Sequence, residues 1–179
     1  LEMDRYGGSV AAIDFLYLPR LHRKGYVAPA LDQLESKNTS PGGYVMQSTP
    51  GIHDNVIVLD FKSLYPSIIR SFHIDPLALI EGLKEENPIE GYDGGRFSRD
   101  KFILPELIEN LWAARDQAKA QKNAVLSQTI KIIMNSFYGV LGTTGCRFFD
   151  SRLVSSITKR GHEIIIQSKE YIEEEGYQV

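Results

Sequence analysis

Apolar and polar positions change period several times along the chain, and each change predicts an element. From about Leu104 to Gln121, residues Leu107, Ile108, Leu111, Trp112 and Ala118 recur near helical spacing, and a second helical stretch covers about Ala124 to Tyr138. Only a few polar residues around Lys122-Asn123 separate the two, which predicts an antiparallel helical hairpin. A last helix is expected from about Leu153 to Glu175, with Ile157, Ile164, Ile165, Ser168 and Ile172 on or near its buried side and Gly176 as its stop.

The first part of the chain follows another pattern. Gly7-Gly8, Pro41, Gly42-Gly43 and Pro50-Gly51 punctuate short apolar pieces, so residues 1–55 are expected to form strands and turns rather than long helices. Ser9 to Leu18 is one expected strand. Asn55-Val-Ile-Val-Leu59 is a stronger one, because three of its residues are β-branched and Asp60 closes the run. Tyr65-Pro66 then opens a helix to about Phe72, proline being well suited to the first helical position. Residues 81–99, with Asn87-Pro88 and Gly94-Gly95, read as an irregular surface excursion and a subdomain boundary. Gly139, Gly142 and Gly145 break the second hairpin helix, and Arg147-Phe-Phe reads as a short strand or loop. The chain has no internal repeat of roughly 20 to 50 residues, which argues against a solenoid.

Composition bounds the class. With 179 residues, 42% hydrophobic and 24% charged, the chain is that of a globular protein with a sizeable core. The single Cys146 excludes an internal disulfide framework and a multi-cysteine zinc site, and fits a reducing compartment. No apolar stretch is long enough to span a bilayer, and Leu-Glu-Met-Asp-Arg at the start lacks a basic region followed by an apolar run. A cytoplasmic protein without a membrane partner is expected, and the missing initiator methionine suggests a piece of something longer. The net charge of −3 argues against nucleic-acid binding through the overall field. The distribution is segregated, however. From Arg115 to Arg160, eight basic residues (Arg115, Lys119, Lys122, Lys131, Arg147, Arg152, Lys159, Arg160) face two acidic ones (Asp116, Asp150), whereas Glu170 and Glu173 to Glu175 make an acidic end.

Several residues in these elements could carry chemistry. Lys131, Asn135 and Tyr138, spaced i, i+4 and i+7, put a cation, an amide and an aromatic ring on one helical face. On the preceding helix Arg115 and Lys119 are i, i+4, so four polar groups can converge on one groove, with Arg as a planar fork and Lys as a point charge for phosphate. A pair of solvated helices is the alternative, but Lys131 and Asn135 sit among Ile130, Ile132, Ile133, Met134 and Phe137. Asp60, at a strand end, can hold a divalent cation beside a phosphate or simply satisfy turn amides. Backbone N–H groups of Ser63, Leu64 and Tyr65, at a helix start, can receive phosphate oxygens; Ser63 can equally be an ordinary cap and Tyr65 a core aromatic. His22, His53, His73 and His162 show no metal-ligand spacing and are assigned to structure or surface. GxGxxG, GxxxxGK[ST] and GxSxG are absent, which removes support for dinucleotide, Walker-type and hydrolase readings.

Taken together, these segments resemble the family B DNA polymerases. Asp60-Phe-Lys-Ser-Leu-Tyr-Pro-Ser-Ile-Ile69 resembles the family's first polymerase motif, and Lys131 through Gly139 its second, KxxxNSxYG. Pro41-Gly-Gly-Tyr-Val45 resembles the glycine motif between exonuclease and polymerase modules, and Trp112, Arg115 and Lys119 match the first fingers helix. Gly7-Gly-Ser-Val-Ala-Ala12, Gly25-Tyr-Val-Ala-Pro29 and Leu141 through Asp150 most resemble bacterial members of the family.

The resemblance implies an α+β fold: a partial palm with short strands, an antiparallel two-helix fingers hairpin and a long C-terminal palm helix. Residues 1–80 would be the N-terminal palm part, 81–140 the fingers, and 141–179 a returning palm segment. It also implies roles. Asp60 would ligate a catalytic pair of Mg²⁺ ions; Ser63, Leu64 and Tyr65 would hold the β- and γ-phosphates, with Tyr65 under the deoxyribose. Arg115, Lys119, Lys131 and Asn135 would grip the triphosphate, with Lys131 also assisting the departing pyrophosphate. Tyr138 and Gly139 would border the nascent base pair, and Thr144 and Arg147 would touch primer or template backbone. The implied partners are primer-template DNA, dNTP, the rest of a polymerase chain and a sliding clamp reached through other regions, in a bacterial cytoplasmic protein associated with the nucleoid. The family's second aspartate motif, Tyr-Gly-Asp-Thr-Asp, is absent from the 179 residues, so this chain alone is expected to be inactive. The alternatives are a non-catalytic nucleotide or nucleic-acid binding module and a helical interaction domain without a ligand.

Overall fold

A computed structural model describes residues 8–30 and 42–179. Its elements are α1 (Gly8–Arg23), α2 (Leu64–Ser71), α3 (Pro76–Gly82), β1 (Ile89–Glu90), β2 (Arg96–Phe97), α4 (Leu104–Ala120), α5 (Ala124–Leu141) and α6 (Ser151–Glu174). Among the described residues the fold is thus mixed: six helices and one small antiparallel sheet, in which Ile89 faces Phe97 and Glu90 faces Arg96.

The two hairpin helices and the last helix form close to the expected positions, and local chemistry fixes their ends. The Asn123 side chain accepts from the Leu126 N–H (3.1 Å) and caps α5, while the Asp150 side chain accepts from the Arg152 N–H and caps α6. Gly176, at φ 88°, closes α6 with a bond from its own N–H to Glu173 O and one from Tyr177 N–H to Ile172 O. That pairing satisfies the last orphan carbonyls and needs a left-handed residue. α5 passes through Gly139 to Leu141 rather than breaking at it, because its buried stripe of Ile130, Met134, Phe137 and Leu141 continues past the glycine.

Two strand expectations are corrected. Ser9 to Leu18 lies within α1, whose buried residues Ile13, Tyr17 and Leu21 repeat every fourth position and dock on α5 and the core. Asn55 to Leu59 forms no ladder: Val56, Ile57, Val58 and Leu59 are 67%, 80%, 87% and 75% exposed, with no partner strand among the described residues. β-propensity gives an extended run, but a sheet also needs a neighbour. The expectations resting on Gly7 and Pro41 lie outside the described residues.

One core joins α1 to α6. Ile68 and Ile69 of α2 pack with Ile108 of α4, Met134 and Phe137 of α5, and Ile157 of α6. Ile157 is buried as expected, while Ile164, Ile165, Ser168 and Ile172 lie only partly covered. Residues 81–99 are less superficial than expected. Gly82 lies so close to β2 that a side chain there would collide with the Arg96 carbonyl and the Phe97 backbone, and Phe97 and Ser98 are buried. Beneath this excursion Glu81 binds Lys84 at 2.7 Å and Lys101 at 2.6 Å.

At the base of the hairpin, buried Asp75 ties three helices together. It caps α3 by accepting from Ala78 N–H (3.0 Å) and caps α4 by accepting from Leu104 N–H (2.8 Å) and Ile103 N–H (3.3 Å). From α1, the Tyr17 hydroxyl donates to both carboxylate oxygens (2.8 and 3.0 Å) and accepts from Leu77 N–H (3.1 Å). Burial raises the Asp75 carboxyl above its usual range against the pull of these donors, and burial together with the Asp75 charge raises the Tyr17 hydroxyl well above its own.

Candidate nucleotide site

The turn after the exposed apolar run has a backbone conformation able to receive an anion. Asp60 is exposed and its carboxylate bonds no described residue. Ser63 takes the left-handed conformation (φ 53°, ψ 56°) just before α2, and its side chain makes no cap bond. A left-handed residue followed by right-handed ones turns successive N–H groups toward one concavity, and the first-turn amides of a helix have no intrahelical acceptor. Leu64 and Tyr65 supply those N–H groups, while Pro66 contributes none. The Ser67 hydroxyl donates to Lys62 O (3.3 Å) and pins the back of the turn. A non-glycine residue at positive φ is strained, so the turn is held by its surroundings rather than by preference.

The helical hairpin presents the expected side chains. Lys131 and Asn135 are exposed on α5 and bond no described residue. Tyr138 is partly covered, and its hydroxyl is raised by burial and by the neighbouring Tyr65. On α4, Lys119 pairs with Asp116 (3.7 Å), while Arg115 is partly buried with its Nε unpartnered. The basic excess of this part of the chain is largely neutralised in three dimensions. Arg147 pairs with Asp14, Arg152 with Asp150, Lys159 with Asp93 and Arg160 with Glu163, so Arg115, Lys122 and Lys131 are the members of the eight that form no ion pair among the described residues.

The turn and the hairpin touch in two places. The Tyr65 and Tyr138 rings lie 4.5 Å apart at 42°. Lys62 Nζ lies 5.7 Å from the Trp112 ring centre, and the Arg70 guanidinium lies 5.1 Å from it while binding Glu109 at 2.7 Å. Of these, no spacing signal marks Lys62 or Arg70; their significance comes only from the packing of α2 on α4. Gly43 approaches the Tyr65 hydroxyl, and the next glycine of that segment, Gly42, bonds His162 through its carbonyl (3.1 Å). His53 and His73 likewise bond backbone carbonyls, of Thr49 and Ser98, as expected of structural histidines.

Gly139 is exposed one residue beyond Tyr138. Thr144 is exposed in the turn after α5, whereas Arg147 nearby is engaged internally, donating to Asp14 (2.9 Å) and to Pro29 O (3.4 Å). As a metal site the described residues are insufficient. They contain no group of three acidic, histidine or cysteine side chains able to hold an ion, and Asp60 offers one carboxylate where a Mg²⁺ pair needs several.

Comparison with known proteins resolves the family. The model of DNA polymerase family B matches residues 3–179. The chain belongs to DNA polymerase family B. It is 59% identical to DNA polymerase II of Escherichia coli (strain K12) over 182 aligned positions, covering 100% of this chain and 23% of that protein. It is also 29% identical to the DNA polymerase of Thermococcus gorgonarius, over 93% of this chain and 24% of the relative. Against DNA polymerase 1 of Pyrococcus abyssi the identity is 31%, over 77% of this chain and 20% of the relative. The chain therefore spans about a quarter, or less, of these family B relatives. No helix among the described residues is long and apolar enough to cross a membrane.

Proposed function

We propose that the protein is the nucleotide-gripping part of a template-directed DNA polymerase. Residues 1–80 and 141–179 belong to the palm and residues 81–140 to the fingers. In the intact polymerase the primer 3′-oxygen attacks the α-phosphorus of a dNTP; the bond from that phosphorus to the bridging oxygen breaks and pyrophosphate leaves. Primer-template DNA, the dNTP and the remainder of a polymerase chain are the partners, and a bacterial cytoplasm with the nucleoid is the setting.

The chain's own residues bind and orient. The concavity at Ser63, Leu64 and Tyr65 receives β- and γ-phosphate oxygens through backbone N–H groups. Arg115, Lys119, Lys131 and Asn135 close over the triphosphate, and Lys131 holds a proton for the departing pyrophosphate. Tyr65 lies under the deoxyribose, where a 2′-hydroxyl would clash, and Tyr138 and Gly139 flank the new base pair. Thr144 lies at the duplex backbone, and Arg147 reaches it only by exchanging Asp14 and the Pro29 carbonyl for phosphate. Asp60 would offer one carboxylate to a Mg²⁺ pair completed by the rest of the polymerase chain, and the ions would supply positive charge to the reacting oxygens. In this reading the other carboxylates come from the remainder of the polymerase chain, and the 179 residues alone are proposed to be inactive.

The observation that carries this reading is the contact of the Asp60 to Tyr65 turn with the hairpin through Tyr65 and Tyr138. It is tested in a full-length family B polymerase carrying this segment. Asp60→Asn is expected to lower the primer-extension rate about a thousandfold with primer-template affinity retained, and Lys131→Ala to lower kcat/KM for dNTP by about a hundredfold. Undiminished extension by both variants overturns the assignment.

A further inference from the structure

Trp112, Arg115 and Lys119 occupy positions i, i+3 and i+7 of α4 and so share a stripe of about 60°. One end of that stripe is anchored. The Trp112 ring lies against Lys62 (5.7 Å) and Arg70 (5.1 Å), which flank the start and lie within the body of α2. Glu109, one turn earlier on α4, holds Arg70 at 2.7 Å. The aromatic face attracts both cations electrostatically, where a cation of α4 in its place would repel them. Beyond the anchor, the same stripe carries Arg115, whose buried Nε has no partner among the described residues, and Lys119, which makes an exposed pair with Asp116.

We propose that Trp112 is a positioning residue for nucleotide capture: seated on Lys62 and Arg70, it sets the rotation of α4 so that Arg115 and Lys119 face the amino-terminus of α2. The inference rests on the function proposed above and adds to it three residues, Trp112, Lys62 and Arg70, that act without touching the reacting atoms. A side chain that only filled space would affect stability. One that sets the rotation of the cation stripe affects dNTP affinity, because a guanidinium displaced by about an ångström loses its aligned donors.

The experiment is single-nucleotide incorporation by a full-length family B polymerase carrying this segment. Trp112→Ala is expected to raise KM for dNTP about tenfold, the equivalent of about 1.4 kcal/mol, with kcat within about twofold and primer-template affinity unchanged. Trp112→Phe, which keeps an aromatic face, is expected to recover most of the loss. Lys62→Met with Arg70→Met is expected to raise KM similarly, and adding Trp112→Ala to that pair to raise it no further. Arg115→Ala and Lys119→Ala are the reference. If they leave KM unmoved, the site reading fails and this inference with it. If they raise KM while Trp112→Ala changes only thermal stability, or if its effect adds fully to that of the Lys62 and Arg70 pair, the Trp112 inference alone is overturned. Should Trp112→Ala fail to fold, Trp112→Phe and the Lys62 and Arg70 pair decide: an unchanged KM in the paired variant overturns the inference.

Discussion

The Tyr65 ring rests against the Tyr138 ring at 4.5 Å, joining the turn after Asp60 to the helix that carries Lys131 and Asn135. Neither ring is fully buried, and both pack against the edge of the core; in the function proposed above the pair forms one wall of the nucleotide site. An aromatic plane held from behind by another aromatic is stiff, and stiffness is what exclusion of a single hydroxyl group requires.

The first prediction concerns that wall. Tyr65→Val is expected to raise ribonucleotide incorporation relative to deoxyribonucleotide by at least about tenfold, because the smaller side chain leaves room for a 2′-hydroxyl. Tyr65→Phe is expected to leave the ratio unchanged, since the Tyr65 hydroxyl bonds no described residue. Primer extension with matched rNTP and dNTP series measures both. An unchanged ratio in Tyr65→Val removes Tyr65 from the sugar contact.

A second prediction follows from the strained turn. Ser63 at φ 53° sits where an L residue is disfavoured and makes no side-chain cap, so Ser63→Gly is expected to stabilise the protein by about 0.5–1 kcal/mol. The N–H concavity survives the change, so dNTP affinity is expected to stay the same. Urea unfolding and nucleotide titration test the two halves separately. Destabilisation by glycine would mean that the Ser63 hydroxyl matters.

The third prediction is that Asp75 is among the costliest positions to truncate. Asp75→Ala leaves Tyr17, Ala78, Ile103 and Leu104 donors without their acceptor in the core, and is expected to cost about 3 kcal/mol or more. Asp75→Asn keeps one carbonyl oxygen but turns an amide donor toward other donors, so it is expected to recover only part of the loss. Denaturant midpoints rank the three proteins, and equal stability of wild type and Asp75→Ala would show that the hub is dispensable.

How far these features were legible in the sequence depends on how local their causes are. α4, α5 and α6 follow from apolar periodicity because such signals lie within one element, and α2 forms where expected, though it starts at Leu64 and so places Pro66 third in the helix rather than first. The stripe Ile13, Tyr17 and Leu21 was equally present, but nearby glycines and a mostly apolar run over Ser9 to Leu18 suggest a strand when one weighs punctuation over period. Val56 to Leu59 has strand composition, but whether a neighbour pairs with it is not written in those residues. α3 is not among the expected helices, although Asp75-Pro76 has the local chemistry of a helix start; that the same carboxylate also caps α4 depends on tertiary packing. In the site, Lys131, Asn135 and Tyr138 are legible as a face, whereas the meeting of Trp112 with Lys62 and Arg70 arises from two segments far apart in the chain.

The last prediction uses pH to isolate one ion cluster. Glu81 has a nearly buried side chain and is bound by Lys101 and Lys84, which hold its carboxyl down to about 2 from an ordinary 4.5. A depressed acid binds protons more weakly folded than unfolded, so its contribution is fully present above the unfolded value of 4.5 and is lost as pH falls toward about 2. Asp75 has the opposite sign. Its raised carboxyl favours the folded state as pH falls, so the whole-protein acid profile mixes the two. Comparing wild type with Glu81→Gln cancels the Asp75 part, because both proteins keep that carboxylate. The wild type is expected to have the higher melting temperature at pH 7, and the gap is expected to shrink steadily between about pH 4.5 and pH 2. A gap that stays constant across that window would mean that the two lysines do not favour the charged form of Glu81, and that its role is packing alone.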